Sequence, residues 1–393
     1  MDRSNNFYDA IVVGGRVAGA STAMLLARRG HRVLLLERAR RGSDTLSTHA
    51  LARAGVLQLK RWGLLKGLVE AGTPPIRRTV FHYGDDKIDI AIKPLGGVDS
   101  LYAPRRTVLD QLLVDSAEEA GVEPRFGVSV ANVLKDATGR VEGVCASDDS
   151  GRPFVARAKL TIGADGIRSS VARHVSARSY REGKSSGGMV YGYWTDVEVE
   201  GYEWFFRPGL SGGLIPTNDD RICVWAGAPT RHYRRDLYVD GEPAIESVLS
   251  TLDRAAGRRV SAGRRVSVVR GFPGIPGFLR QAWGPGWALV GDAGYFKDPL
   301  SSHGISDALR DAELLARAAA LVFEGLPERE ALSDYQATRD SLSTRLFEAT
   351  NAIASYGWEV ADVAALQLEM SSAMRDEIEA LLALDVTEAS AAA

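Results

Sequence analysis

The start of the chain has the pattern of apolar residues expected of a strand, a tight turn and a helix. Residues 8–13 form a short apolar run, Gly14 and Gly15 follow, and residues 17–29 carry apolar side chains at helical spacing. Gly30 stands where a helix commonly ends, and residues 32–37 predict a second buried strand. This βαβ unit predicts a parallel sheet.

Later segments predict a second lobe that interrupts this first domain. Residues 44–68 are mostly helical in pattern, whereas residues 79–83 and 87–93 alternate in the manner of antiparallel strands. Between residues 187 and 269 lie short strands rich in aromatic side chains, and residues 306–382 predict helices. The segments that predict a return to the first domain are residues 108–120, 141–144, 158–162 and 287–290.

Composition excludes several classes of protein. The 393 residues are 45% hydrophobic and 25% charged, which is usual for a globular chain, and the formal charge of −2 offers no broad basic field for nucleic acid. No apolar run approaches the roughly 20 residues that a membrane span needs, and the first six residues lack the pattern of a secretion signal, so we expect a cytoplasmic protein. Cys145 and Cys223 form no motif for a disulfide framework or a thiol redox pair, and we predict no metal site.

The first candidate motif is the turn between the two predicted strands, Gly14-Gly15-Arg16-Val17-Ala18-Gly19. It places a helix N-terminus where backbone N–H groups can hold a pyrophosphate. Glu37 follows about 20 residues further on, where a carboxylate can accept hydrogen bonds from a ribose. Arg16 occupies the position of the usual second glycine. A glycine-rich turn that binds nothing is the alternative, and Glu37 favours dinucleotide binding.

Two further motifs follow predicted strands. Residues 163–171 contain Asp165-Gly166, which by itself is typical of an ordinary turn. Residues 289–294 contain Gly291-Asp292, and the segments 297–300 and 304–309 follow. Each motif alone is compatible with a simple strand, turn and helix, so their order along the chain carries the interpretation.

In this order the three motifs resemble those of the flavoprotein hydroxylases of the para-hydroxybenzoate hydroxylase fold, the class A single-component FAD-dependent monooxygenases. The resemblance covers most of residues 8–320. The sequence is most similar to a bacterial branch that has Gly-x-Arg-x-Ala-Gly in the first motif and Gly-Asp-Ala-Gly-Tyr-x-Lys-Asp-Pro in the last. Arg16 is then a feature of that branch.

The resemblance implies roles for particular residues. Arg106 belongs to the phosphate and ribityl region, Val130 contacts adenine, Asp165 belongs to a motif that touches both FAD and NAD(P)H, and Asp292 holds the ribityl chain. The N-terminus of the helix near Gly304 points at the reduced isoalloxazine. The full set of predicted cofactor-binding residues is Gly14, Gly15, Arg16, Ala18, Gly19, Glu37, Arg38, Arg106, Val130, Asp165, Gly166, Gly291, Asp292, Pro299, Gly304 and Ile305.

We therefore predict an α/β fold, in which a Rossmann-like FAD-binding domain is interrupted by an antiparallel β-sheet substrate domain and followed by C-terminal helices. The predicted FAD-binding domain comprises residues 1–75, 101–180 and 280–330. The predicted substrate domain comprises residues 76–100 and 181–279. Residues 331–393 form the predicted helical region.

The resemblance also implies a reaction. NAD(P)H reduces FAD, O2 adds at the flavin C4a, and the hydroperoxide hydroxylates or epoxidises an electron-rich small molecule, for which we expect an aromatic or polyketide-like intermediate of secondary metabolism. Since the chain has no second glycine-rich βαβ unit, we expect no separate NAD(P)H domain. We expect a monomer or homodimer.

Candidate substrate-binding and catalytic residues follow from the same resemblance. The aromatic residues predicted to line the substrate pocket are Tyr191, Tyr193, Trp204, Phe206 and Trp225, although alternating aromatics on a half-buried sheet are more often core. The catalytic candidates are His49, His303 and Lys297. His49 could instead cap or pack against a helix. His303 could simply belong to a turn defined by its backbone, and Lys297 could be a solvated surface charge.

Three other functions remain open. An FAD-dependent reductase of isoprenoid carbon–carbon double bonds, similar to geranylgeranyl reductases, shares the fold and the glycine-arginine turn. A flavin-dependent halogenase is less favoured because the chain has no Trp-x-Trp-x-Ile-Pro segment. A flavin-bound protein without turnover is the third, with an interface on the C-terminal helices. Packing of those helices within the chain is the alternative to such an interface.

Overall fold

The computed structural model describes residues 7–391, and strands dominate their first two thirds. The strands are β1 Phe7–Val13, β2 Val33–Glu37, β3 Arg78–Tyr83, β4 Asp86–Ala91, β5 Glu123–Phe126, β6 Ser129–Lys135, β7 Val141–Ser147, β8 Pro153–Gly163, β9 Ser179–Glu182, β10 Gly187–Thr195, β11 Tyr202–Arg207, β12 Leu210–Thr217, β13 Arg221–Pro229, β14 Tyr238–Val239, β15 Glu242–Pro243, β16 Arg264–Arg265, β17 Arg270–Phe272, β18 Phe278–Arg280, β19 Trp283–Gly284, β20 Trp287–Leu289 and β21 Tyr295–Phe296.

Helices cover one face of the first sheet and form the end of the chain. The α-helices are α1 Val17–Arg28, α2 Arg53–Arg61, α3 Leu65–Glu70, α4 Arg106–Glu119, α5 Ser170–His174, α6 Tyr233–Leu237, α7 Ile245–Leu252, α8 Arg254–Ala262, α9 Gly304–Phe323, α10 Glu328–Ile353 and α11 Val360–Ala391. Short 3₁₀ turns cover Gly291–Ala293 and Pro299–Ser301.

The first sheet has a parallel core. Its strand order is β19-β20-β8-β1-β2-β5, in which β1 runs parallel to both β2 and β8, and the outer neighbours β5 and β20 are also parallel. The first half of β8 pairs instead with β7, which pairs with β6 in an antiparallel meander. The parallel sheet predicted from the βαβ unit is confirmed.

Both faces of this sheet are buried, which explains the continuous apolar runs of its strands. Val12 and Leu35 face a layer of helices that includes α1, α4 and α9, while Ile11 and Leu36 face the β6-β7 meander. The result is a three-layer α/β domain with the sheet between helices and meander.

The second sheet is mostly antiparallel and runs in the order β16-β10-β13-β12-β11-β3-β4, with β17 beside β10. Its one parallel pair among the described residues joins β11 to β3. One face, with Phe205 and Val224, packs on α7 and α8. The other face carries Tyr191, Phe206 and Trp225 and packs on the C-terminal helices. The predicted fold class is confirmed, whereas the residue boundaries of the domains stay a prediction.

The C-terminal helices pack within the chain. Leu346 and Ile353 of α10 and Val363 of α11 are buried and belong to the same apolar cluster as the aromatic face of the second sheet. These side chains are therefore not free to form an interface with another protein.

One predicted element is wrong in part. The pattern over residues 44–68 predicted mostly helix, but α2 begins only at Arg53, and residues 44–52 form an irregular segment. His49 has a φ of +69°, which no helix accommodates, and the Ser47 amide donates a hydrogen bond to the Tyr191 hydroxyl at 3.2 Å. Contacts with the second sheet thus override the local preference of this segment.

Candidate flavin-binding active site

The three sequence motifs and Glu37 meet at one edge of the first sheet. The Gly14 turn follows β1, Glu37 ends β2, Asp165 follows β8 and Asp292 follows β20. These four strands are neighbours and run parallel, so their carboxyl ends lie side by side. Open α/β sheets bind ligands outside the carboxyl ends of their strands. Motifs that are far apart in sequence therefore form one site.

The turn after β1 can be made only by glycines at two positions. Gly14 has a φ of +107°, and a Cβ placed there would lie 2.3 Å from the Ala164 carbonyl oxygen. A Cβ at Gly19 would lie 1.7 Å from the Gly14 carbonyl oxygen. Arg16, by contrast, has an extended backbone with a φ of −94°, which any residue adopts. This explains why arginine is tolerated at the position of the usual second glycine.

Glu37 is fixed beside this turn. It is 8% exposed, its Oε2 accepts a hydrogen bond from the Gly15 amide at 2.7 Å, and its Oε1 accepts one from the Ala39 amide at 2.8 Å. Two backbone donors hold the carboxylate at the cleft edge and leave it further acceptor capacity. This geometry suits a ribose hydroxyl.

Two guanidinium groups line the cleft beside the helix N-terminus. Asp110 of α4 joins them, because its Oδ2 accepts from Arg16 Nη1 at 2.9 Å and its Oδ1 accepts from Arg106 Nε at 2.9 Å. The group carries two positive charges against one negative charge. Together with the N-terminus of α1, it forms a site that favours an anion such as a pyrophosphate.

Asp165 organises the second motif. Its Oδ2 accepts from the Ser170 amide at 2.6 Å and from the Ser170 hydroxyl at 2.7 Å, and its Oδ1 accepts from the Ser169 hydroxyl at 2.5 Å. Gly166 has a φ of +77° in the turn between them. Asp165 therefore shapes a turn that lines the cleft.

Asp292 differs from Asp165 because its carboxylate makes no hydrogen bond or ion pair within residues 7–391. Burial raises the pKa of Asp292 to about 6, although Lys297 and Arg106 oppose the effect. Asp292 is only part-buried and lines the cleft, so its unpartnered carboxylate faces the space that a ligand would occupy. The glycine turn suits the phosphates of a dinucleotide, and the Asp292 carboxylate suits a chain of hydroxyl groups. FAD has both features, so the residues present fit FAD.

A single cleft of about 820 Å³ connects these groups. Thirteen of the predicted cofactor-binding residues line it, namely Gly14, Arg16, Ala18, Glu37, Arg38, Arg106, Val130, Asp165, Gly166, Asp292, Pro299, Gly304 and Ile305. Gly15, Gly19 and Gly291 lie just behind the wall, where Gly15 meets Glu37, Gly19 meets Gly14, and Gly291 packs on Ala18.

The cleft passes from the glycine turn to the second sheet, where only one of the predicted aromatic residues lines it. Tyr191 lines the cleft, and Tyr193 lies behind it against His49. Trp204, Phe206 and Trp225 are buried in the core under the C-terminal segment. Phe206, for example, packs on the Trp358 ring with centroids 6.3 Å apart.

Apolar residues that sequence reasoning missed complete this end of the cleft. Met189, Phe272 and Phe296 line it, as do the irregular segment 45–48 and Arg168. Met189 and Phe272 are partners across the β10-β17 pair, a register that no local pattern indicates. Arg168 belongs to the second motif and could have been chosen on that ground.

His49 lies in the cleft wall in a strained conformation. Its Nε2 is 2.5 Å from the Tyr193 hydroxyl, and its Nδ1 is buried without a hydrogen-bond partner in the described chain. Burial holds the pKa of His49 well below its usual value, and the nearby Arg105 and Arg106 lower it further. At neutral pH the imidazole is therefore uncharged and able to accept a proton.

Lys297 lines the cleft, whereas His303 lies behind it. The Lys297 ammonium contacts the Asp307 carboxylate, and burial lowers the pKa of Lys297 to about 7. His303 is fully buried, with Nδ1 3.1 Å from Asp307 Oδ1 and Nε2 2.9 Å from Glu377 Oε2.

His303, Asp307 and Glu377 are close enough together to suggest a metal site, with their donor atoms within 4.8 Å of one another. Arg310 already supplies the cation, since its Nη1 lies 3.2 Å from Asp307 Oδ1 and 3.0 Å from Glu377 Oε1. A guanidinium therefore compensates the charge of these carboxylates.

Comparison with known proteins identifies the family. Residues 8–350 match the FAD binding domain family, so the chain belongs to it. A curated relative, digeranylgeranylglycerophospholipid reductase 2 of Methanothermobacter thermautotrophicus, is 30% identical over 84% of this chain and 82% of its own length. Menaquinone reductase of Mycolicibacterium smegmatis is 27% identical over 79% of this chain and 76% of its own length.

Solved structures share the fold over almost the whole chain. PqsL, a probable FAD-dependent monooxygenase from Pseudomonas aeruginosa, superposes with a TM-score of 0.79 at 23% identity and covers 92% of this chain and 99% of its own. The p-nitrophenol 4-monooxygenase PnpA from Pseudomonas putida gives a TM-score of 0.74 at 19% identity, with 97% and 98% covered. These likenesses establish the fold, and the resemblance to the para-hydroxybenzoate hydroxylase fold is confirmed. No helix between residues 7 and 391 has the length and hydropathy of a membrane span.

Proposed function

We propose that this protein is an FAD-dependent monooxygenase that uses NAD(P)H and O2 to hydroxylate or epoxidise an aromatic or polyketide-like small molecule. The observation that carries the proposal is the continuous cleft, which begins at the dinucleotide turn and ends on an apolar wall formed by Met189, Tyr191 and Phe272. Bound FAD would accept electrons from NAD(P)H and deliver oxygen from O2 to the substrate. The domain boundaries, the cytoplasmic location and the monomeric or dimeric state are part of this proposal.

The chain's own residues would bind and orient the cofactor. Glu37 receives the ribose, the α1 N-terminus with Arg16 and Arg106 receives the pyrophosphate, and Asp292 accepts from the ribityl hydroxyls. The N-terminus of α9 at Gly304 opens on the cleft, and its positive end favours negative charge there.

His49 is our candidate for the group that receives a proton. It is neutral at pH 7 for the reasons given above, and it shares a hydrogen bond with the Tyr193 hydroxyl. Arg105 stacks over the Tyr193 ring at 4.1 Å and fixes the phenol side chain. Because its lowered pKa makes the imidazole a weak base, His49 would hold a proton from a substrate hydroxyl only transiently and return it readily.

A reductase of isoprenoid double bonds is the second candidate, because the curated relatives described above carry reductase names. The aromatic rings of Tyr191 and Phe272 in the cleft wall favour the first proposal, because aromatic walls suit an aromatic ligand.

The test is a screen of candidate substrates with the FAD-loaded protein, in which NAD(P)H oxidation is followed with and without air and the products are identified by mass spectrometry. We expect a compact aromatic or polyketide-like compound to stimulate NAD(P)H oxidation and to gain oxygen only in air. Saturation of an alkene without air would support the reductase and refute the monooxygenase.

A further inference from the structure

A group of buried charged side chains lies directly behind the cleft wall. We call it the buried charge cluster, and its members are Lys297, His303, Asp307, Arg310, Asp311 and Glu377. Lys297 is in the wall of the cleft, and Glu377 comes from α11. The match to the FAD binding domain family ends at residue 350, so Glu377 lies outside it.

Contacts run without a break from the cleft to the C-terminal helix. Lys297 contacts Asp307, whose Oδ1 is 3.1 Å from His303 Nδ1. His303 Nε2 is 2.9 Å from Glu377 Oε2. A parallel route passes through Arg310, whose Nη1 lies 3.2 Å from Asp307 Oδ1 and 3.0 Å from Glu377 Oε1. Glu377 is thus connected to Lys297 by two bridges.

The charges of the cluster depend on one another. Within the described residues its three carboxylates pair with Lys297 and Arg310, and His303 lies between Asp307 and Glu377, so the net charge of the cluster depends on how many protons Lys297 and His303 hold. Each of these side chains is at most 5% exposed, so water screens their interactions little. Loss of the negative charge on Glu377 must therefore be felt at Lys297.

We propose that Glu377 is a positioning residue of the flavin site, which acts through His303 and Arg310 on Asp307 and so sets the charge of Lys297 in the cleft wall. The C-terminal helix is then a functional part of the site and not only a cover for the second sheet. The inference rests on the proposed flavin site, but it does not depend on whether the reaction is oxygen transfer or reduction.

The direction of the electrostatic effects supports this assignment. Burial and, to a smaller extent, Arg310 lower the pKa of Lys297, whereas Glu377, Asp292 and Asp311 raise it, so that it lies at about 7. Burial would raise the pKa of Glu377, but His303, Arg310 and Lys297 bring it down to about 2. Glu377 is therefore ionised at neutral pH and helps to keep Lys297 charged.

The first test reads Lys297 directly in the apoprotein. NMR of apoprotein with ¹³C at the lysine ε-carbons follows the chemical shift of each lysine with pH and gives the pH at which its amine loses the proton, and Lys297→Arg identifies the signal of Lys297. Lys297 is expected to have its midpoint near pH 7 in the wild type, well below that of the exposed Lys66. In Glu377→Gln the midpoint falls by about one pH unit, because an attractive negative charge is lost.

Matched variants separate this effect from a loss of structure. Glu377→Asp keeps the charge with a shorter reach, and its midpoint is expected between those of the wild type and E377Q. Glu369→Gln removes an exposed ion pair between α11 and Arg345 of α10 and leaves the midpoint unchanged. An unchanged Lys297 midpoint in folded E377Q overturns the proposal. If E377Q does not fold, an unchanged Lys297 midpoint in E377D overturns the proposal instead.

The second test measures FAD binding to the apoprotein across pH. Affinity in the wild type is expected to fall as Lys297 loses its charge, and E377Q moves this fall to lower pH, whereas E369Q follows the wild type. The same pH profile in E377Q and the wild type would contradict the proposal. If the wild type binds no FAD at any pH, the proposed function fails, while the NMR titration still decides whether the cluster couples Glu377 to Lys297.

Discussion

Replacement of Asp292 by asparagine should stabilise the apoprotein and weaken its binding of FAD. A pKa raised from 3.8 to about 6 corresponds to about 3 kcal/mol at 1.36 kcal/mol per pKa unit. Because the folded state holds the Asp292 proton more tightly than the unfolded chain, this stabilisation is complete below pH 3.8 and is lost as pH rises through 6. Because Asp292 is part-buried and lines the cleft, this value is an upper limit on the cost that the wild type carries at pH 8. Asparagine resembles the protonated acid and removes that cost.

The expected gain in the free energy of unfolding of Asp292→Asn is up to about 3 kcal/mol at pH 8 and about half of that at pH 5. FAD should bind about 10- to 100-fold more weakly, since a hydrogen bond to a charged group contributes about 1.5–3 kcal/mol. Urea denaturation of the apoprotein at the two pH values and a titration that follows flavin fluorescence measure both effects.

Asp298 provides a matched control. Burial raises the pKa of Asp298 to about 6 as well, but its carboxylate accepts hydrogen bonds from the Gly187 amide at 2.6 Å and the Leu300 amide at 3.0 Å. Asp298→Asn loses one of these acceptors, so it should not gain stability as Asp292→Asn does. The reasoning is refuted if Asp292→Asn is less stable than the wild type at pH 8 and binds FAD with unchanged affinity.

Further substitutions test the glycine turn and the substrate end of the cleft. Gly14→Ala would bring a Cβ within 2.3 Å of the Ala164 carbonyl oxygen, so it should abolish FAD binding in a flavin titration. The control Gly30→Ala meets no atom within 4 Å and should cost only about 1–2 kcal/mol of unfolding free energy. Full FAD binding by Gly14→Ala would count against the turn. Trp225→Ala should cost about 3–5 kcal/mol in denaturation, because the ring is 2% exposed in the core. Tyr191→Phe should raise the KM for the substrate in a steady-state assay and cost only about 1 kcal/mol of unfolding free energy, because the Ser47 amide loses its acceptor. A larger loss of stability in Tyr191→Phe than in Trp225→Ala would contradict the placement of the cleft.

Local sequence and the family resemblance together predicted cofactor-binding residues that the structure brings to one cleft. The glycine turn, Glu37 and Asp292 each follow a strand directly, and parallel strands bring their carboxyl ends together whatever lies between them in sequence. Their positions therefore follow from strand order alone. Even Arg16 departs from the glycine pattern for a local reason, which is its extended backbone.

The substrate end could not be predicted in the same way. Trp204, Phe206 and Trp225 share a sheet face with Tyr191, as their alternation suggested, but the C-terminal segment covers them. Which part of a sheet face stays open depends on contacts between residues more than 100 positions apart, such as the hydrogen bond between Ser211 and Tyr356. Glu377 was missed for the same reason, since nothing near it in sequence indicates that it reaches His303.

The strained segment around His49 is a third case. Its residues favour a helix, yet the Ser47 amide and the His49 imidazole contact hydroxyl groups of β10 instead. A backbone conformation of this kind commonly marks a functional site, and here it places His49 in the cleft wall. Only the packed structure reveals it.

The central proposal is oxygen transfer in this cleft, and the most direct measurement is turnover of a stimulating substrate with NAD(P)H under ¹⁸O₂, followed by mass spectrometry of the product. We predict that the product gains one ¹⁸O atom and that no product forms without oxygen. A product that has gained hydrogen instead, formed equally well without oxygen, would contradict the account and identify the protein as a reductase.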